Sequence, residues 1–344
     1  MVRIPQTFAV AIFAASAPTW AAAERFEAQK IIVDGVVGAV IVETNNGSVI
    51  DVDLDEPAGP TITAALDEAG VLRIRGPLAD QGPRRPGACS CCDADRALPV
   101  PSALLDEPPA DPDAQAAPSD AGEASAAGEA DEAAGGLNDP LAPTVRIAAP
   151  RAVDLTIVNA EVALDVADLD GDFVLDVCAV YGEVGSVENA VIDIGHASRL
   201  VVGNVGAFLN ANVSGDADLL TGDLAEGDIA IAGPGDVTVG DVDGPLDISI
   251  AGRGVLQVAR LLGALDARIA GPGRVAVQRG RADPMKATID GRGEIDFAGT
   301  AVSPTLRLYG RSTVRVDSLV GDLDREGPGA VLVGDDERNP DDQP

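Results

Sequence analysis

The sequence predicts an all-β fold: a single-stranded parallel β-helix, or β-solenoid, with about 19 residues per coil, interrupted by a disordered acidic insertion. Three observations carry that reading. A G-x-G turn flanked by alternating aliphatic residues keeps returning, as IAGPGDVTVG at 231, IAGRGVLQVA at 250, IAGPGRVAVQ at 269 and IDGRGEIDFA at 289. Hydrophobic residues form 46% of the chain but aromatic ones only 3%, so Val, Ile, Leu and Ala must build the core, which suits thin β-layers. Between two aliphatic regions lies a stretch of Pro, Ala, Asp and Glu that has no structural period.

Residues 1–23 read as an export signal. Arg3 supplies a positive start, Phe8–Ala17 an apolar run too short to span a bilayer, and Ala21, Ala22 and Ala23 a small-residue cleavage site. No cysteine follows the apolar run to carry a lipid, and no later stretch of about 18 apolar residues predicts a membrane span. The expected location is therefore outside the cytoplasm, in the periplasm or at the cell surface or extracellular.

Residues 24–77 alternate with a period of two (KIIVDGVVGAVIVETNNGSVIDVDLD, then GVLRIRG) and read as short N-terminal coils. Residues 78–143 form the insertion, with nine acidic residues and no basic one between Glu107 and Pro140. Such a segment lacks the apolar surface needed to offset its ordering entropy. The main solenoid is expected over 144–334, followed by an acidic tail at 335–344.

Within the main solenoid the first glycine of each turn serves as a marker: Gly233, Gly252, Gly271, Gly291, Gly310 and Gly327. Gly215 and His196 hold the same slot upstream, and Val177 and Val158 fit it more loosely. Spacings from Val158 onward are 19, 19, 19, 18, 19, 19, 20, 19 and 17. Leu200, Leu219, Val237, Leu256, Val275, Ile295, Val314 and Val331 stand four residues after the marker, and Ile194, Val213, Ile231, Ile250, Ile269, Ile289 and Leu308 two before it. These columns should point inward and stack from coil to coil. In G-P-G the proline presets φ near −65°, and the glycine after it, Gly235 for example, is expected to take the positive φ of a corner.

The segments VRIAAPRAVDLTIVNAEVALDV, VSGDADLLTGDL and IAGPGDVTVGDV resemble the bacterial family called "putative auto-transporter adhesin, head GIN domain" over roughly 26–76 and 145–334. The resemblance implies an exported single-chain β-helix with no assigned activity, and the family name implies adhesion. The acidic insertion departs from that pattern.

Chemistry in the sequence is sparse. A net charge of −32 opposes nucleic acid and anionic lipid. A calcium ladder needs a persistent Asp column, yet three residues after the marker stand Asp218, Asp236, Val255, Arg274, Glu294, Thr313 and Ala330. No metal or other cofactor is therefore expected. Cys89, Cys91 and Cys92 cluster in GACSCCDAD, a disulfide candidate in an oxidising compartment and, through thiolates, a soft-metal candidate; Cys178 reads as a small core residue. The one histidine, His196, sits in a turn slot near Ser198, and no G-x-S-x-G elbow exists.

Two function classes follow. The first is a non-catalytic structural or adhesive module of the bacterial cell envelope. The alternative is a polysaccharide lyase or hydrolase, for which Asp241 with Asp243, or Asp290 with Glu294 and Asp296, would have to supply paired carboxylates. Alternating outward charges on a solenoid are usually just solvated, which favours the first. Residues 250–326 hold 12 Lys/Arg against 9 Asp/Glu, whereas the rest of the chain is strongly acidic. Arg253, Arg274, Arg292 and Arg311 lie on or beside successive corners. They are either a solvated mixed surface or a docking face for an anionic partner, whether a cell-surface or extracellular polymer or the protein's own acidic insertion.

Overall fold

The computed structural model describes residues 23–55, 61–79, 142–196, 198–334 and 336–338. The signal, the cysteine cluster at 89–92, most of the insertion and most of the tail lie outside these residues. The described chain forms 25 strands joined in one continuous hydrogen-bonded sheet, wound into about nine turns. No α-helix occurs among the described residues. The predicted β-solenoid is the observed architecture.

A regular coil has two main sides separated by the G-x-G corner. In the coil around Gly252 the first side is Leu246–Gly252 and the second opens Val255–Gly271, a strand that turns a second corner near Arg260 and runs on into the next coil. Neighbouring coils pair in parallel and residue for residue: Ile231 on Ile250, Ile250 on Ile269, Val237 on Leu256, Leu256 on Val275. Both predicted columns are buried throughout, from Ile194 and Leu200 to Leu308 and Val331. The reason is geometric. Alternate residues of a strand face one side of the sheet, and identical register places like side chains above one another. Large residues are balanced locally, as where Phe173 stacks on Ala190.

The N-terminal part is not a simple run of coils. Its strands are β1 (Glu24–Phe26), β2 (Lys30–Asp34), β3 (Val37–Asn45), β4 (Ile50–Asp55), β5 (Thr63–Leu66) and β6 (Leu72–Arg75). After the insertion come β7 (Thr144–Pro150), β8 (Asp154–Val166) and β9 (Asp172–Val184). The coil made by β2 and β3 stacks on β8, and its other edge receives β6 and β7. Chain order and axial order therefore differ here, because the insertion leaves after β6 and returns before β7. Strand β4 covers β7 in antiparallel fashion and β1 covers β4. At the far end Asp336–Arg338 pairs antiparallel with Ala330–Val333. These reversed strands cover edges that would otherwise template another chain.

Two details of the corner differ from expectation. Positive φ belongs to the first glycine of each turn, at 122° for Gly233, 123° for Gly252, 115° for Gly271 and 120° for Gly291, and not to Gly235 or Gly254. The second glycine is required for space. It points into the core, where a Cβ on Gly254 would stand 2.4 Å from Ile231 Cγ2 and 3.1 Å from the Gly235 carbonyl oxygen. Val177 and Val158 also do not hold the marker slot. Val177 stacks on Ile194, two residues before the corner, and Val158 on Asp176. The early corners absorb register shifts near residue 160, which displace the slot relative to simple counting.

Candidate functional site: an arginine row along the first corner

The second corner shows how this fold normally treats charge. The Asp168 side chain accepts a hydrogen bond from the backbone N–H of Ser186 at 2.8 Å, Asn204 from Asp223 at 2.9 Å, and Asp223 from Asp241 at 2.8 Å. Each acidic or amide side chain thus satisfies a backbone donor one coil on. The column then turns basic. Arg260 Nε meets Asp241 at 2.9 Å and its Nη2 meets Asp243 at 3.0 Å, while Arg279 reaches back to Asp241 at 2.9 Å. The hydrogen bond to Asp241 is the main influence holding the Arg260 guanidinium above its ordinary pKa. Sequence reasoning missed this ladder, although the repeated G-D-L and G-D-V links were its signal.

Five more arginines of this half are paired with carboxylates, some across coils and some within one strand. Arg274 and Arg315 meet Asp296 at 3.5 and 3.7 Å, and Arg315 meets Glu294 at 3.3 Å. Arg268 pairs with Asp266 at 2.9 Å, Arg281 with Asp283 at 3.0 Å, and Arg307 with Glu326 at 3.6 Å.

The first corner is different. Arg253 and Arg292 occupy the middle of G-x-G turns, Arg311 holds the same place in Gly310-Arg311-Ser312, and all three are exposed. Their backbone N–H groups donate to the first glycine of the preceding coil: Arg253 to Gly233 at 3.0 Å, Arg292 to Gly271 at 3.1 Å, Arg311 to Gly291 at 2.8 Å. Pro272, which has no N–H, holds the place between Arg253 and Arg292. The three side chains form no ion pair among the described residues. At about 4.8 Å per coil the row spans roughly 14 Å. Arg274, grouped with them on sequence grounds, lies one residue past the turn and is held on the second side by Asp296. The row is three arginines, not four.

The remaining candidates resolve into structure. Ser198 is 5% exposed; its hydroxyl donates to the Gly195 carbonyl at 2.9 Å and accepts from the Val180 N–H at 3.2 Å, so it clamps two coils at the corner. His196 is exposed in the same corner with φ of 56°. Asp241, Asp243, Glu294 and Asp296 are the carboxylates engaged by arginines above. Asp218 stacks on Asp236, where burial first and then the charges of Asp218 and Asp216 raise the Asp236 pKa. No group of three or more metal-ligating side chains occurs among the described residues. Cys178 is buried as expected, but it is disulfide-bonded and not a free core thiol.

Fold and corner together define a parallel β-solenoid carrying a row of three exposed arginines that have no ion pair among the described residues. No family model matches the chain, and no curated protein is similar to it. A crystal structure of a "putative adhesin" from Parabacteroides distasonis is similar at 14% identity, over 90% of this chain and 95% of that one, with a TM-score of 0.33. A likeness at that level carries no argument about function.

Proposed function

We propose that the chain is a non-catalytic interaction module of the bacterial cell envelope, exported by its N-terminal signal, that docks an anionic polymer along the first corner. One observation carries this reading. Arg253, Arg292 and Arg311 repeat at coil spacing without ion-pair partners among the described residues, while Arg260, Arg274, Arg279, Arg307 and Arg315 are paired across coils. Exposed cations on an acidic protein can gain energy from a fixed neighbouring carboxylate, and here none is supplied. A linear polyanion laid along the axis would meet all three. The family resemblance of the repeat segments agrees with an adhesive role. Of the carboxylates that a hydrolase or lyase would use, Asp241, Asp243, Glu294 and Asp296 are paired with arginines, and no observation favours that reading.

The test is binding of the exported chain to polygalacturonate and to a glycan array at low ionic strength. Replacing Arg253, Arg292 and Arg311 together by Ala should weaken polymer binding roughly tenfold or more with the melting temperature unchanged. Equal binding by the two proteins would remove the ridge as the site.

A further inference from the structure

We propose that the anionic partner of the arginine row is an acidic polysaccharide in which charged and neutral sugars alternate. This rests on the reading of the row as an anion-docking surface and names the chemical class of its ligand. Over four successive coils the middle position of the first corner is held by Pro234, Arg253, Pro272 and Arg292, all of them exposed. The column alternates between an apolar ring and a cation, and like residues stand two coils, about 10 Å, apart.

The backbone alternates with the side chains. The N–H groups of Arg253 and Arg292 donate to the Gly233 and Gly271 carbonyls one coil back, at 3.0 and 3.1 Å. Pro234 and Pro272 have no N–H, so the carbonyls of Gly215 and Gly252 do not receive that corner hydrogen bond. Beside each proline ring there is thus an acceptor without its corner donor. A neutral pyranose complements this pair, because its ring face carries C–H groups and its edge carries hydroxyls that donate to a carbonyl. A uronate complements the arginine coils through a charge-assisted hydrogen bond. A chain with a charge on every unit would set anions against the prolines, where no cation meets them, and polyphosphate has no hydroxyl along its length for the carbonyls.

The far end of the row repeats the preference. Among the described residues Tyr309 is the one exposed aromatic, at 39%, and it adjoins Arg311 across Gly310. Asp290 stacks on it from the preceding coil, and the Glu326 carboxylate lies beside its hydroxyl. A carboxylate over this ring would meet two like charges, whereas a neutral sugar can lie flat on it. Arg311, one coil or about 4.8 Å from Arg292, then shares the uronate held there.

The test compares three probes of matched charge at low ionic strength, using calorimetry on the exported chain. They are hyaluronate oligosaccharides, in which glucuronate alternates with N-acetylglucosamine, oligogalacturonate, and polyphosphate. Hyaluronate should bind at least tenfold more tightly than polyphosphate and at least fivefold more tightly than oligogalacturonate. Equal or weaker hyaluronate binding would overturn this proposal, while loss of all binding in the triple Arg→Ala variant would still support the docking surface. Pro272→Arg gives every coil from Arg253 to Arg311 a cation and returns a donor to the Gly252 carbonyl. Arginine fills the same place in neighbouring coils, so the corner accommodates it, and an unchanged melting temperature checks this. That variant should bind oligogalacturonate at least fivefold more tightly than the parent and lose the preference for hyaluronate; an unchanged preference would also overturn the proposal. If the parent binds none of the probes more tightly than the triple variant does, the functional reading itself fails and this proposal with it.

Discussion

Gly254 lies directly against Ile231 of the preceding coil: a Cβ on the glycine would stand 2.4 Å from the isoleucine Cγ2. The same relation recurs between Gly273 and Ile250 at 2.6 Å and between Gly293 and Ile269 at 2.7 Å. The second glycine of the corner is therefore part of the core packing.

Gly254→Val should destabilise the protein by about 3 kcal/mol or more, since an inserted side chain must displace both Ile231 and the Gly235 carbonyl. Arg253→Ala, one residue earlier and exposed, should change stability by less than about 0.5 kcal/mol. Urea denaturation of both variants checks the pair. A silent Gly254→Val would mean that the corner is packed differently.

Thr221 occupies an inward column between Val202 and Val239, and its buried hydroxyl has no hydrogen-bond partner. Thr221→Val keeps the shape and removes the unsatisfied group. The variant should be more stable by about 1 kcal/mol, seen as a higher denaturation midpoint at unchanged m-value.

Asp193 stacks in register on Asp176, and burial raises both pKa values above 3.8, with the Asp176 charge adding to the rise at Asp193. A carboxyl with a raised folded pKa binds its proton more tightly in the native state. Its contribution is fully present below the ordinary aspartate range and is lost as pH rises through the raised value. Stability should thus increase as pH falls through the raised values toward the ordinary aspartate range. Asp193→Asn should raise the melting temperature at pH 7 and flatten that dependence. A steeper dependence in the variant would contradict the assignment.

Trp20 is the only tryptophan and lies inside the proposed signal. Protein recovered from the exported fraction should show tyrosine but no tryptophan fluorescence. Tryptophan emission from exported chain would place cleavage elsewhere, or show that no cleavage occurs.

The sequence by itself determined the solenoid, the period of its coils and the inward columns from Ile194 to Leu308. These depend on alternation and on a repeat of about 19 residues, both written directly in residue order. Only the tertiary structure decided which corner glycine takes positive φ and which glycine is squeezed by an isoleucine, because Gly252 and Gly254 are indistinguishable by residue type. It also separated the arginines. Arg260 finds Asp241 19 residues away and Arg279 finds the same carboxylate 38 residues away, whereas Arg253 finds none among the described residues. Such pairs form across coils, where lateral register sets the distance, and a list of charges along the chain carries no lateral register. The interleaving of β2 and β3 between β8 and the β6–β7 coil was hidden for the same reason: strand pairing is a contact in space between segments that the insertion separates in sequence.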